Sequence, residues 1–428
     1  MRQIPDALIN EIHDGKCVAF VGAGFSAAVI PPWGKLLSEL ATQSGVATEI
    51  RKHVASLVHK GSAHAFDEAA QVLEDHLGRA TFLDHLASLL TQRDERPMSQ
   101  RLARLRGIPF RSILTTNFDT LLPGSTPGPE AYRSVLRPDA FRWWETRYWG
   151  DAKGAVTLKL HGDVAKREIV LTRRDYRRQL YSDPAYITFL RTMIATTTVL
   201  YMGFSFEDAY LNELRSEILA LLDQGNESTP VAYAIVNDVP ADTQSHFRKH
   251  EGIEILSYDT EGGKSFSGFD DYLEAIYQET NPLVRFGRLL AMRRILWIDP
   301  HPSNNGEAFK HLEDAALAAA QERNPLVTAR TADEGVVAME SAEQGGKPFD
   351  LVITHWGDGS ARTPHGSSCS TAVGLLTAMR TGDLRCPVIV FASAVNADER
   401  KRVILRLGAL AYCFRFSDLY RAIEDALS

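Results

Sequence analysis

The stretch Val18-Ala19-Phe20-Val21-Gly22-Ala23-Gly24-Phe25-Ser26 sets a continuous apolar run directly before a Gly-x-Gly turn. An apolar run without polar alternation suits a strand covered on both faces, the situation of a parallel sheet in an α/β protein. The turn itself admits two readings. It is a plain connection toward a helix, or it is a phosphate cradle, where glycines let the backbone approach a pyrophosphate and a helix N-terminus supplies free N–H donors. In the second reading the cradle comprises Gly22, Ala23, Gly24, Phe25 and Ser26.

The rest of the chain supports the α/β class. Residues 5–16 read as a short amphipathic helix and 17–22 as the first strand. Residues 34–105 carry Leu36, Leu37, Leu40, Phe82, Leu83, Leu86, Leu89 and Leu90 near a helical period. They predict a helical insert that caps the site. Short apolar strands then return at 112–116, 156–160, 198–202, 231–236 and 253–256, with helices between most of them, such as 210–222. Alternation of this kind predicts a Rossmann-like parallel sheet covered on both faces. A second unit opens at Ile295-Leu296-Trp297-Ile298. It adds strands at 326–329, 349–354, 386–391 and 411–414 and ends in a helix at 418–427. Five strands in so short a span predict a smaller flavodoxin-like α/β domain. The expected organisation is therefore a catalytic domain over 1–285 and a second domain over 294–428.

Bulk properties exclude several classes. Of 428 residues 44% are hydrophobic and 24% charged, the balance of an ordinary globular chain. A net charge of −7 argues against a broad nucleic-acid-binding face. The local run Arg173-Arg174-Asp175-Tyr176-Arg177-Arg178 is either a basic patch or a solvated helix face. Cys17, Cys369, Cys386 and Cys413 stand far apart without a Cys-x-x-Cys pair, so no zinc ribbon, disulfide scaffold or other metal site is expected. There is no apolar signal core after Met1 and no run of membrane-spanning length, so a cytoplasmic protein without a membrane partner is expected.

Three further fragments stand just after predicted strands: Thr115-Thr116-Asn117-Phe118-Asp119, Leu160-His161-Gly162-Asp163 and Gly203-Phe204-Ser205, the last followed by Glu207 and Asp208. Each has an ordinary explanation. Asn117 and Asp119 suit an Asx turn, and Ser205 with Glu207 and Asp208 makes a good helix start. In this order, together with the Gly22–Ser26 turn, the fragments resemble the sirtuin-like NAD-binding family over roughly residues 10–280. The resemblance implies that Gly22, Ala23, Gly24, Phe25, Ser26, Thr116, Gly203, Ser205 and Asp208 contact NAD. It places Asn117 at a water or the ribose, Asp119 at the nicotinamide pocket, and His161 as the acid–base residue. A histidine titrates near operating pH and suits that task. Asn237, after the fourth strand of the run, is expected at the adenosine ribose. Thr116 stands where the family usually has Gln, a departure that bears on deacetylase chemistry more than on NAD binding.

The resemblance implies cleavage of the nicotinamide–ribose bond. With water as acceptor the product is ADP-ribose; with an acyl-lysine the reaction is deacylation. Sirtuin deacylases usually carry a four-cysteine zinc module, which this chain lacks, and the zinc-less, helix-inserted form resembles NAD-depleting bacterial defence effectors of the Thoeris type. An NAD+ hydrolase is the expected activity. A lysine deacylase and a non-catalytic NAD or ADP-ribose sensor are the alternatives.

The C-terminal unit resembles a degenerate response-regulator receiver. Asp299 matches an acidic-pocket residue, with Pro300 where a second acid belongs. His355 stands at the phosphoacceptor position, Ser393 matches the switch hydroxyl, and Arg415 falls near the usual Lys. Mg2+-dependent phosphorylation is therefore not expected. The loop His355-Trp356-Gly357-Asp358-Gly359-Ser360 is a candidate site for an activating ligand or protein partner, and self-association into a homo-oligomer is expected.

Overall fold

The computed structural model describes residues 2–91, 96–137, 145–148, 153–204, 232–263, 265–291, 293–302, 307–319, 325–357, 361–362, 368–392 and 396–427. The chain forms two compact units, Met1–Trp143 with Asp151–Thr280 and Trp144–Gly150 with Asn281–Ser428.

The first unit is built on a six-stranded sheet. Its strands are β1 (Cys17–Val21), β2 (Ser112–Thr115), β3 (Thr157–Lys159), β6 (Thr198–Met202), β7 (Ala232–Asn237) and β8 (Ile253–Tyr258). They lie in the order β3-β2-β1-β6-β7-β8, all parallel. Counted within this sheet the order is 3-2-1-4-5-6, that of a doubly wound dinucleotide-binding fold, with its reversal between β1 and β6. The register runs from Cys17↔Thr198 to Val21↔Met202, so both strands end level at that reversal. Burial is complete along β1, as its unbroken apolar run requires. Successive residues alternate between faces. Val18 and Phe20 join Leu114, Leu158, Val199 and Tyr201 in a core closed by α7 (Pro129–Leu136) and α9 (Pro184–Thr196), including Tyr132, Phe189 and Met193.

Helix α1 (Asp6–His13) precedes β1, and among the described residues five α-helices separate β1 from β2: α2 (Trp33–Ala41), α3 (Thr48–Lys60), α4 (Ala63–Leu77), α5 (Arg79–Thr91) and α6 (Ser99–Gly107). The first four bury their leucines with Val54, Phe82 and the alanines of α4 against Val164, Ile169 and Leu171. Val164 and Ile169 belong to a small antiparallel ribbon of β4 (Gly162–Asp163) and β5 (Glu168–Ile169) and the turn between them. The insert thus leans on the segment that follows β3. Helix α8 (Arg173–Ser182) starts directly after this ribbon with a capping box between Thr172 and Asp175.

The second unit holds a parallel sheet of β9 (Ile295–Ile298), β10 (Leu326–Ala329), β11 (Leu351–Thr354), β14 (Val388–Phe391) and β15 (Ala411–Cys413). The order β10-β9-β11-β14-β15 is the 2-1-3-4-5 arrangement of flavodoxin-like domains. A short ribbon, β12 (Ala361–Arg362) with β13 (Ser368–Cys369), lies between β11 and the helix Thr371–Thr381. Leu296, Ile298, Val352, Val388 and Val390 meet Leu375, Leu376, Met379 and Ile404 in the core. The observed strands at β11 and β14 begin two residues later than their apolar runs predict, since Phe349 and Pro387 precede rather than join the ladder. The predicted helix at 210–222 lies outside the described residues.

Candidate functional site at the C-terminal edge of the first sheet

The turn after β1 runs toward a helix that starts at Trp33, close to the expected start of the helical insert at 34, but the turn itself is not that helix's N-terminus. It closes as one 3-10 turn, Ala23–Ser26, and the next helix waits until Trp33. Pro31 and Pro32 account for the gap: each lacks an amide hydrogen and a helix cannot run through them. Gly22 donates to the Met202 carbonyl and Gly24 to the Gly203 carbonyl, both at 2.9 Å. The loop thereby rests on the residue that ends β6. A Cβ on Gly22 would lie 2.5 Å from the Gly203 oxygen, and one on Gly203, whose φ is +63°, would lie 2.1 Å from the Phe25 nitrogen. The glycines are needed first for this backbone-on-backbone contact. Ala23 and Gly24 are exposed at the edge.

Phe25 does not face the opening. Its ring is buried edge-on against Phe269, and Arg101 from α6 lies over both rings. Arg101 also donates to the Phe25 carbonyl at 2.6 Å and forms a two-point pair with Asp270 at 2.7 and 2.8 Å. The sequence reading missed this clamp. Arg101 sits in a charge-rich helix and its partner lies 169 residues away.

Ser26 is buried at the meeting point of the β1 and β2 loops. Asn117 donates from Nδ2 to the Gly22 carbonyl at 3.1 Å and to Ser26 Oγ at 2.9 Å. Ser26 in turn donates to Asp119 Oδ2 at 3.3 Å. The Thr115 hydroxyl donates to the Val21 carbonyl and receives the Asn117 amide, while the Thr116 amide donates to Val21 at 3.3 Å. Both amide hydrogens of Asn117 are therefore committed, which fixes the flip of the group and turns Oδ1 into its open acceptor. Asp119 is only 4% exposed, and burial pushes its carboxyl above the usual range; the Leu121 amide, Lys159 and the Ser26 hydroxyl act against that rise.

His161 enters from the loop after β3. The Leu160 amide donates to the Thr115 carbonyl at 2.8 Å and the Val164 amide to the Phe118 carbonyl at 2.9 Å, so the β2 and β3 loops are stitched together. Gly162 has φ +85°, and a Cβ there would collide with the Glu168 oxygen of β5. Helix α8 supports the histidine: Gln179 donates to the Leu160 carbonyl at 2.8 Å, and the Tyr176 hydroxyl lies 3.4 Å from His161 Nδ1 with the rings edge-to-face. Arg79 of the insert reaches the same region, pairing with Glu74 and Asp175 at 2.5 and 2.8 Å and donating to the Ile169 carbonyl at 2.6 Å. Beneath the loops lies Lys159, fully buried, donating to the Asp119 carbonyl and paired with Asp163 at 3.1 Å.

Gly22, Ala23, Gly24, Phe25, Ser26, Thr116, Asn117, Asp119, His161 and Gly203 thus meet along one edge, on the four adjacent strands β3, β2, β1 and β6. Asn237 ends β7, one strand further, where its side chain donates to Asp238 at 3.0 Å. Ser205 and Asp208 lie outside the described residues.

Comparison with known proteins agrees with this frame. Residues 111–256 match the family described as SIR2-like domain. The chain is similar to the NAD(+) hydrolase ThsA of Cytobacillus dafuensis, 24% identical over 59% of this chain and 47% of that protein. It is 27% identical to the NAD(+) hydrolase ThsA of Enterococcus faecium over 48% of this chain and 41% of that one. It is 21% identical to defense-associated sirtuin 2 of Bacillus subtilis over 70% of this chain and 31% of that one. The chain therefore spans less than half the length of each of these relatives. Residues 111–256, which carry Asn117 and His161 to this edge, are therefore similar to a SIR2-like domain, and the chain as a whole is similar to proteins named NAD(+) hydrolase and defense-associated sirtuin.

Proposed function

We propose that the first unit binds NAD+ along this edge and hydrolyses its nicotinamide–ribose bond, releasing nicotinamide and ADP-ribose. The observation that carries the reading is the convergence of the Gly22–Ser26 turn, Asn117, Asp119 and His161 at the reversal of a 3-2-1-4-5-6 sheet, the place where such folds receive dinucleotides. The pyrophosphate lies against the exposed Ala23–Gly24 backbone. Asn117 Oδ1 receives a ribose hydroxyl or the attacking water. Asp119 faces the carboxamide end, and His161 moves the proton that hydrolysis requires. Asn237 takes the adenosine ribose. Depletion of NAD+ as a defence against phage is the role this activity would serve, by analogy with the named relatives.

The second unit is proposed to control turnover or assembly rather than to accept phosphate. His355 follows β11 with its amide and Nδ1 both directed to the Ile298 carbonyl, and Asp299 Oδ1 receives the His301 amide. Ser393 lies outside the described residues. A controlling unit has to interact differently with active and inactive states. Deleting residues 294–428 is therefore expected to change turnover, its trigger or the oligomeric state.

The test is incubation of the full chain with NAD+, with and without an acetylated peptide. ADP-ribose formed without peptide supports hydrolysis. O-acetyl-ADP-ribose formed only with peptide replaces it with deacylation. NAD+ binding seen by calorimetry without turnover, in every condition tried including phage-infected extract, leaves a sensor.

A further inference from the structure

Lys159 has no task in the reaction outlined above, yet it is among the least expected residues in the unit. It sits in β3, the last strand of the sheet beside β2, whose outer edge is bridged by Ser125, and its side chain is wholly enclosed. A lysine is almost never buried to this degree unless its charge is matched and its donors are used. Both conditions hold here. Nζ donates to the Asp119 carbonyl on the β2 loop and pairs at 3.1 Å with Asp163 in β4, two residues past His161. One ammonium therefore joins the two loops that carry Asp119 and His161.

We propose that Lys159 is the positioning residue of the site, holding the Asp119 loop against the His161–Asp163 loop and keeping the Asp119 carboxylate charged. The inference rests on the proposed reading of this edge as the NAD+-cleaving site. The charged groups facing Asp119 are Lys159 from β3 and Asp163 from β4; the Ser26 hydroxyl and Leu121 amide are its neutral partners. Asp119 and Asp163 are both buried. Two carboxylates in a dry pocket with no cation between them do not both stay ionised, and one takes up a proton. The Asp163 carboxylate also receives the Ala165 amide at 2.9 Å, which ties the same charge to the turn behind His161.

The test compares the full chain with Lys159→Met, Lys159→Arg and Lys159→Gln. Asp119 is titrated directly by NMR of 13C-carboxyl-labelled aspartate, with Asp119→Asn identifying the signal, and NAD+ turnover is followed against pH. Lys159→Met is expected to raise the Asp119 midpoint by at least about one pH unit. The acid limb of kcat should move with it, and kcat should fall on the order of tenfold or more while KM stays within about threefold. Lys159→Arg should return the midpoint toward the parental value. If Lys159→Met does not fold, Lys159→Gln, which keeps a donor for the Asp119 carbonyl without the charge, carries the same comparison. An Asp119 midpoint unmoved in a folded neutral variant overturns the proposal. A parental chain that never cleaves NAD+, but whose Asp119 midpoint still depends on Lys159, overturns the functional reading and leaves the charge relation standing.

Discussion

Asn117 gives one amide hydrogen to the Ser26 hydroxyl at 2.9 Å, and Ser26 passes its own hydrogen to Asp119, so the turn after β1 and the loop after β2 share one continuous set of bonds. Removing Asn117 loosens the loop as well as the chemistry. Asn117→Ala is expected to abolish NAD+ cleavage and also to reduce the thermal stabilisation that NAD+ or ADP-ribose confers. Ligand that binds only the native state adds RT ln(1 + [L]/Kd), so the loss is readable as a smaller Tm shift at fixed ligand. An Asn117→Ala variant with the parental ligand-induced shift would show that the carboxamide does not hold the loop.

His161 and Tyr176 separate a chemical role from a supporting one. His161→Ala should lower NAD+ cleavage by about 10²–10⁴-fold with the fold retained, the usual effect of losing a positioned acid–base group. Tyr176→Phe removes the hydroxyl 3.4 Å from Nδ1 and keeps the edge-to-face ring. Its effect should be no more than about tenfold on kcat, in line with one modest hydrogen bond. Parallel circular dichroism spectra with kcat measured for each variant decide it. A Tyr176→Phe loss as large as that of His161→Ala would mean the hydroxyl itself takes part.

The carboxyl of Asp119 makes stability depend on pH in a direction opposite to most acidic residues. Burial raises its folded pKa above the unfolded value, so the stability it contributes is complete below the unfolded pKa and is lost as pH rises through the folded one. Asp119→Asn should therefore raise Tm at neutral pH, with the advantage shrinking on acidification toward pH 4, while turnover falls. Equal Tm differences at pH 7 and pH 4 would contradict this.

Arg79 fastens the insert to the His161 side of the sheet through Glu74, Asp175 and the Ile169 carbonyl. Glu74 is almost wholly enclosed, whereas Arg79 is about one-third exposed. Arg79→Met should cost about 1–3 kcal/mol in urea unfolding, less than the loss expected for a fully buried pair. It should also open the Leu171–Asp175 amides to hydrogen exchange. Unchanged exchange there, in a variant of parental stability, would show that the insert is held by its apolar core alone.

The sheet was legible because most of its strands lie in short, largely apolar runs and each suspected motif follows such a run. Level endings of β1 and β6 then bring Gly22 and Gly203 together without further specification. Lys159 was not legible. A single lysine in the strand Val156-Thr157-Leu158-Lys159-Leu160 reads as an outward-facing residue, and only the return of Asp163 beneath it shows otherwise. Tyr176 and Gln179 were hidden within or beside an arginine-rich run whose charge suggested a solvent-facing helix. Their angular position on α8, set by the capping box at Thr172 and Asp175, aims them at β3 while Arg173, Arg174, Arg177 and Arg178 stay exposed. Pro31-Pro32 marks the start of the helix at Trp33, whereas the 3-10 turn at Ala23–Ser26 ahead of it has no such signal in the sequence.

Gly22, Gly24 and Gly203 touch through bare backbone, and each occupies the volume a side chain on another would need. A family carrying this contact has no gradual route away from it. A substituent at one position is not relieved by shrinking its neighbour, because the neighbour has nothing left to remove. In a saturation library read out by NAD+ turnover, the three positions should stay glycine together even in stabilised backgrounds, since added global stability does not widen a gap already closed.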